Sequence, residues 1–115
     1  MASITLYHNP RCSKSRQALA LLEEAGAEVT IRRYLDEPLD GDELQALIRR
    51  LEGHLSALVR CNETEWKQLG ADADDSRQVI DAIVTYPRIL QRPIADDGRR
   101  AIIGRPPEAV CTLLD

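Results

Sequence analysis

The segment His8-Asn9-Pro10-Arg11-Cys12-Ser13-Lys14-Ser15-Arg16 places one cysteine among three cations and two hydroxyls. If a helix opens at Ser13, its free N–H groups and the positive end of its dipole face the Cys12 sulfur and favour the thiolate. Arg11, Lys14 and Arg16 add cationic neighbours, and Ser13 and Ser15 can offer hydroxyl donors, so Cys12 is expected to be a nucleophile. The same amides suit an oxyanion, so thiolate and oxyanion would share one pocket. Position 15 is serine, so there is no Cys-x-x-Cys pair. A thiol from another molecule, or Cys61 or Cys111, must therefore resolve any oxidised Cys12.

Three further arginines have a suggestive context. Arg92-Pro93 opens a strand, where a redox-active sheet would set a cis-proline against its cysteine, making Pro93 the candidate. Arg105 lies in Gly104-Arg105-Pro106-Pro107, between a strand and the final helix, and Arg60 closes a short helical stretch and could point inward. Each guanidinium can fork two hydrogen bonds onto an oxyanion.

These residues need elements to hold them. Ser3 to His8 alternates as a strand, and Asn9-Pro10 breaks it. A helix from about Ser13 to Ala25 presents Ala18, Leu19, Leu21 and Leu22, with Gly26 as its stop. A second strand runs from Glu28 to Tyr34, giving a βαβ unit with parallel strands. Asp40 caps a helix carrying Leu44, Leu47, Ile48 and Leu51, ended by Gly53. Shorter helices are expected at Ser56 to Arg60 and Thr64 to Leu69, where Trp66 anchors the segment on the sheet. A longer one, Ser76 to Tyr86, buries Val79, Ile80, Ile83 and Val84. Arg92 to Ala95 and Arg99 to Ile103 form a hairpin turned at Asp97-Gly98. A last helix, about Pro106 to Leu114, shows Val110, Leu113 and Leu114 inward, with Cys111 buried beside them. The order βαβ, helices, ββα is that of a thioredoxin-like α/β fold with a mixed sheet: one domain over 1–115, with a helical insertion at about 40–88.

Composition narrows the function. The 115 residues hold 15 Lys and Arg against 19 Asp and Glu, a net charge of −4 that argues against nucleic-acid binding through bulk charge. Tyr7, Tyr34, Tyr86 and Trp66 are the only aromatics, too scattered for a base-stacking platform. No apolar run approaches the roughly 20 residues needed to span a bilayer, and the start does not read as a signal peptide. Three widely spaced cysteines fit neither a disulfide framework nor a zinc site, and the Asp72, Asp74, Asp75 cluster lacks calcium-ligand spacing. The expectation is a cytoplasmic protein without a metal or bound cofactor.

Tyr7 to Arg16, Tyr34-Leu35, Leu58-Val59-Arg60, Gln91-Arg92-Pro93-Ile94 and Gly104-Arg105-Pro106-Pro107-Glu108 together resemble the glutaredoxin-coupled, ArsC-like arsenate reductases, nearly end to end. The resemblance implies a thioredoxin-like fold, Cys12 as nucleophile, and Arg60, Arg92 and Arg105 as an oxyanion clamp. His8 matches a position linked in that family to thiolate activation, a task Ser15 would share. It further implies arsenate as substrate, glutathione as co-substrate and glutaredoxin as reductant. Two alternatives stay open within the fold. One is a glutathione-dependent thiol oxidoreductase acting on another substrate; the other is a regulator that binds RNA polymerase, which the missing Cys-x-x-Cys disfavours.

Overall fold

The computed structural model describes residues 2–114. Strand β1, Ser3–Tyr7, runs at the centre of a four-stranded sheet, and its alternation divides the interior in two. Ile4 and Leu6 face helix α1, Ser13–Glu24, meeting Ala18 and Leu22, while Tyr7 joins the cluster on the opposite face. Strand β2, Glu28–Arg32, pairs parallel to β1 in the register Ile4 to Val29 and Leu6 to Ile31. On the other side of β1 lies antiparallel β3, Ile94–Asp96, followed by antiparallel β4, Ala101–Ile103. The spatial order β2-β1-β3-β4 is the thioredoxin-like mixed sheet that the βαβ and ββα order predicts.

Between β2 and β3 the chain is helical: α2 at Gly41–Arg50, α3 at Thr64–Leu69 and α4 at Ser76–Thr85, with 3₁₀ segments Leu55–Leu58 and Pro87–Ile89. Asp40 caps α2 as expected, its side chain accepting from the Glu43 N–H (2.8 Å) while Glu43 Oε1 accepts from the Asp40 N–H (3.1 Å). Leu44 and Leu47 of α2, Trp66 of α3, and Val79 and Ile83 of α4 close the second face of the sheet.

Several boundaries differ from the periodic reading. Strand β2 ends at Arg32 rather than Tyr34, because the chain turns at once: the Asp36 and Glu37 N–H groups both donate to the Arg33 carbonyl. Tyr34 is buried in that turn at 1% exposure. Helix α2 ends at Arg50, ahead of Gly53, since Leu51 leaves to bridge Ala101 of β4. In α4 the inner face is Val79, Ala82 and Ile83; Val84 lies one residue, about 100°, round the helix and is 46% exposed. The last helix is a 3₁₀ helix, Pro107–Leu114. Its period of three turns Pro107, Val110 and Leu113 inward and leaves Cys111 and Leu114 only half-buried, against the expectation that both face the core.

Gly104 marks a close approach. A Cβ there would lie 2.7 Å from Pro93 Cγ and 3.0 Å from Val110 Cγ1, while its N–H donates to the Pro93 carbonyl at 2.8 Å. Only glycine lets the 3₁₀ helix and the Arg92-Pro93 segment share this space.

Candidate active site

Cys12 is the N-cap residue of α1, with extended backbone angles and no side-chain cap bond. The N–H groups that a capping oxygen would take are left facing its sulfur. Burial raises the thiol's pKa, but the Ser15 N–H, the Arg92 guanidinium and the Lys14 N–H together outweigh it, so the thiol ionises below its ordinary value. The sulfur is nearly enclosed, at 9% residue exposure.

The cations that do this are not the neighbours in sequence. Arg11, Lys14 and Arg16 are exposed, and Arg16 spends its Nη1 on the Pro10 carbonyl at 2.9 Å. Arg92 and Arg105 reach the sulfur instead, 80 and 93 residues further along the chain. Arg105 donates its Nε to the Arg92 carbonyl (2.9 Å) and brings Nη2 within 3.9 Å of Cys12 Sγ. The Arg92–Pro93 and Arg105–Pro106 peptide bonds are both cis, the second without a signal in the sequence reading.

Arg60 arrives by a route the sequence did not suggest. It lies beyond the 3₁₀ segment Leu55–Leu58, on a short antiparallel pairing in which its N–H donates to the Ile89 carbonyl and the Gln91 N–H to the Leu58 carbonyl, each at 2.7 Å. That pairing sets Arg60 near Arg92. Burial, then the Arg92 charge, lower the Arg60 pKa, and Arg105 adds to the repulsion, while Glu63 opposes it. Arg92 and Arg105 thus meet at the thiol, and Arg60 stands close to both of them.

Of these, Arg92 is the least satisfied. Its Nε and Nη1 are buried with no hydrogen-bond partner. Buried unpaired donors on a charged group are strongly unfavourable, and an oxyanion is the ligand that fits them.

His8 and Ser15 form a buried pair beneath the thiol, His8 Nδ1 to Ser15 Oγ at 2.7 Å, with the Asn9 N–H donating to the same hydroxyl at 3.1 Å. The His8 pKa is lowered, by burial first and then by Arg33 and Arg16, so the imidazole is neutral near pH 7. The pair ties the end of β1 to the first turn of α1, and it is the Ser15 backbone N–H, rather than its hydroxyl, that faces the sulfur.

Tyr34 is a site residue that residue-by-residue reading missed. Its phenol is buried next to Arg92, Arg60, Cys12 and the Asn9 side chain, and burial above all raises its pKa, so it stays protonated and can donate. Its sequence signals were a tyrosine at the expected end of β2 and its place in the Tyr34-Leu35 segment of the resemblance, neither of which gave it a role. A cavity of about 750 Å³ opens here, walled by His8, Asn9, Pro10, Tyr34 and Leu35 with Arg11, Arg33, Arg60, Arg88 and Asp36 around them. That volume far exceeds a tetrahedral oxyanion.

The remaining candidates lie elsewhere. Cys61 is exposed, its thiol turned to the Val59 carbonyl at 3.6 Å, and all three cysteines are free. Among the described residues no three His, Cys, Asp or Glu side chains gather to hold a metal ion, and no helix is long and apolar enough to cross a membrane.

Comparison with known proteins gives the family. Residues 7–113 match the ArsC family. An arsenate reductase of Neisseria meningitidis is 41% identical over 118 residues, spanning 99% of this chain and all of its own. The uncharacterised protein YfgD of Escherichia coli is 43% identical over 115 residues, 96% of each chain. The solved structure of an arsenate reductase from Vibrio cholerae superposes with a TM-score of 0.89 at 36% identity, covering 97% of this chain and 98% of its own. With residues 7–113 matched by the family and near full-length likeness to these relatives, the chain belongs to the ArsC family.

Proposed function

We propose that the protein is an arsenate reductase that uses glutathione and glutaredoxin as electron donors. The observation that carries the reading is Arg92, whose two buried N–H groups without a partner lie beside a thiol held below its ordinary pKa. Arsenate would take those donors together with Arg105, Arg60 and the α1 amides. The clamp neutralises the oxygens, and the Cys12 thiolate attacks arsenic; one arsenate oxygen, protonated, leaves as water and an S–As bond is formed. Tyr34, kept protonated by its burial, is placed to hold an oxygen during this exchange.

The second step needs a thiol from outside, since Cys61 is exposed with its thiol turned to the Val59 carbonyl. Glutathione would enter through the 750 Å³ cavity, whose arginines suit its carboxylates, and displace a second oxygen as water. Attack of glutaredoxin thiolate on the glutathione sulfur leaves the electron pair on arsenic, which becomes trivalent, while the two thiols end as a mixed disulfide. Hydrolysis of the remaining S–As bond releases arsenite and restores Cys12. Such chemistry requires a reducing compartment, so the reading includes a cytoplasmic location, where cysteines such as these three stay free.

The test is arsenite formation with purified protein. It should require both glutathione and glutaredoxin and fall by at least about 10³-fold in Cys12→Ser, as loss of a covalent nucleophile does. No turnover by the intact protein would reject the assignment. The size of the cavity favours a second reading, a glutathione-dependent oxidoreductase acting on glutathionylated proteins; mixed-disulfide reduction without arsenate turnover would select it.

A further inference from the structure

The three arginines are not equally free. Arg60 Nη1 lies 2.8 Å from Glu63 Oε1, and the other carboxylate oxygen, Oε2, lies 2.8 Å from Arg88 Nη2. Glu63 is the most buried of the three side chains, at 16% exposure against 28% for Arg60 and 61% for Arg88. One carboxylate therefore stands between an inner guanidinium that belongs to the clamp and an outer one that faces solvent. Its position is set by backbone: the Glu63 N–H donates to the Arg60 carbonyl at 3.0 Å, and Glu63 is the N-cap residue of α3. Arg88 is steadied by Glu65, Oε2 to Nε at 3.1 Å.

Converging guanidinium groups repel one another, and an anion relieves that repulsion wherever it comes from. Among the described residues Arg92 faces the thiol but pairs with no carboxylate, whereas Arg60 has one in Glu63. We propose that Glu63 is the resident counter-ion of the clamp, a carboxylate that occupies Arg60 until a tetrahedral oxyanion takes its place, with Arg88 retaining the displaced carboxylate. The inference rests on the reading of Arg60, Arg92 and Arg105 as an oxyanion site, and it makes Glu63 a specificity-determining residue of that site. Glu63 sets the threshold: an anion that pairs with the clamp more weakly than this carboxylate does is refused. A doubly charged, tetrahedral anion offers several oxygens to three forks at once, which a monovalent ion cannot.

The exchange predicts opposite signs for two neighbouring substitutions. Glu63→Gln keeps the shape but removes the competing charge, so anions should bind tighter. Arg88→Met removes the outer partner, so Glu63 should hold Arg60 alone and anions should bind more weakly. A role confined to positioning Arg60 predicts instead that both substitutions weaken binding.

The experiment is protection of Cys12 from iodoacetamide by sulfate, which binds without reacting, read as the half-protecting concentration at low ionic strength. It should fall about fivefold in Glu63→Gln and rise about fivefold in Arg88→Met, the range of a partly exposed ion pair. Glu63→Asp, which withdraws the carboxylate from Arg60 by one methylene, is the second variant and should shift in the same direction as Gln. An unchanged or higher half-protecting concentration in both Glu63 variants overturns the counter-ion. Absence of protection in the unsubstituted protein overturns the oxyanion site itself, and the counter-ion with it.

Discussion

At one end of β3, Asp96 takes Arg50 of α2 in a two-pronged pair, Nε to Oδ1 at 3.0 Å and Nη2 to Oδ2 at 2.6 Å, and the Gly98 N–H adds a third bond at 2.8 Å. Just before the other end, half-buried Arg92 has two buried nitrogens, Nε and Nη1, that nothing answers. Arginine is used in two ways around one short strand. The Arg50 pair is closed on itself and ties the helical insertion to the sheet; the Arg92 group is left open toward a thiol. A buried charge that is satisfied is architecture, and one left unsatisfied next to a nucleophile is binding capacity.

The contrast can be broken experimentally. Asp96→Asn leaves Arg50, a quarter exposed, without its counter-charge and should destabilise the fold by about 3 kcal/mol in urea unfolding, the lower end for breaking a buried pair. The alkylation rate of Cys12 in the folded state should not change. If that rate falls as well, the two ends are coupled and the contrast fails.

Gly104→Ala tests the boundary between the two. Its Cβ would press on Pro93 and Val110, so a loss of about 2 kcal/mol by thermal or urea unfolding is expected from overpacking. Because Pro93 follows Arg92, anion protection of Cys12 should weaken too.

Arg92→Met should do the reverse of Asp96→Asn. Stability should stay within about 1 kcal/mol of the parent, since unpaired buried donors are removed and an apolar stem remains. Sulfate protection should weaken by about tenfold with the loss of a charge-assisted fork. The pH profile of Cys12 alkylation should move upward, toward an ordinary thiol, because Arg92 is one of the groups that lower its pKa.

The smallest effect belongs to Arg32 and Glu43, a surface pair at 2.8 Å joining β2 to α2. The Arg32 hydrogen bond, then the Asp40 N–H, hold the Glu43 carboxyl below its usual range. A lowered carboxyl pKa contributes stability that is present above the unfolded value and is lost as pH falls through the folded one. With Glu43 41% exposed, Glu43→Gln should remove at most about 0.5 kcal/mol at neutral pH and nothing in acid, measured by urea unfolding at both.

Much of the fold was readable because its signals are local. The Asp40 cap, the spacing of Leu44 and Leu47, the Asp97-Gly98 turn and the alternation of Ile4 and Leu6 each act within a few residues. Two of the misreadings come from the helical period, whereas the ends of β2 and α2 were set by tertiary contacts. A 3₁₀ rather than an α period displaced Cys111, and a shift of one residue exposed Val84 in place of the buried Ala82. For Tyr34, a side chain that joins the site from a turn leaves no periodic trace at all.

By itself the sequence determined that a cysteine would stand at the mouth of the first helix, because Asn9-Pro10 ends a strand and a helix must start within a few residues of it. It also determined that no second cysteine could answer from the next turn. Which charges meet that sulfur was decided only by the tertiary structure. Arg11, Lys14 and Arg16 are adjacent along the chain yet exposed, whereas Arg92 and Arg105 are brought in by β3, β4 and the packing of Gly104 against Pro93. Electrostatic interaction depends on distance through space, and distance along the chain predicts it only within a single turn of helix.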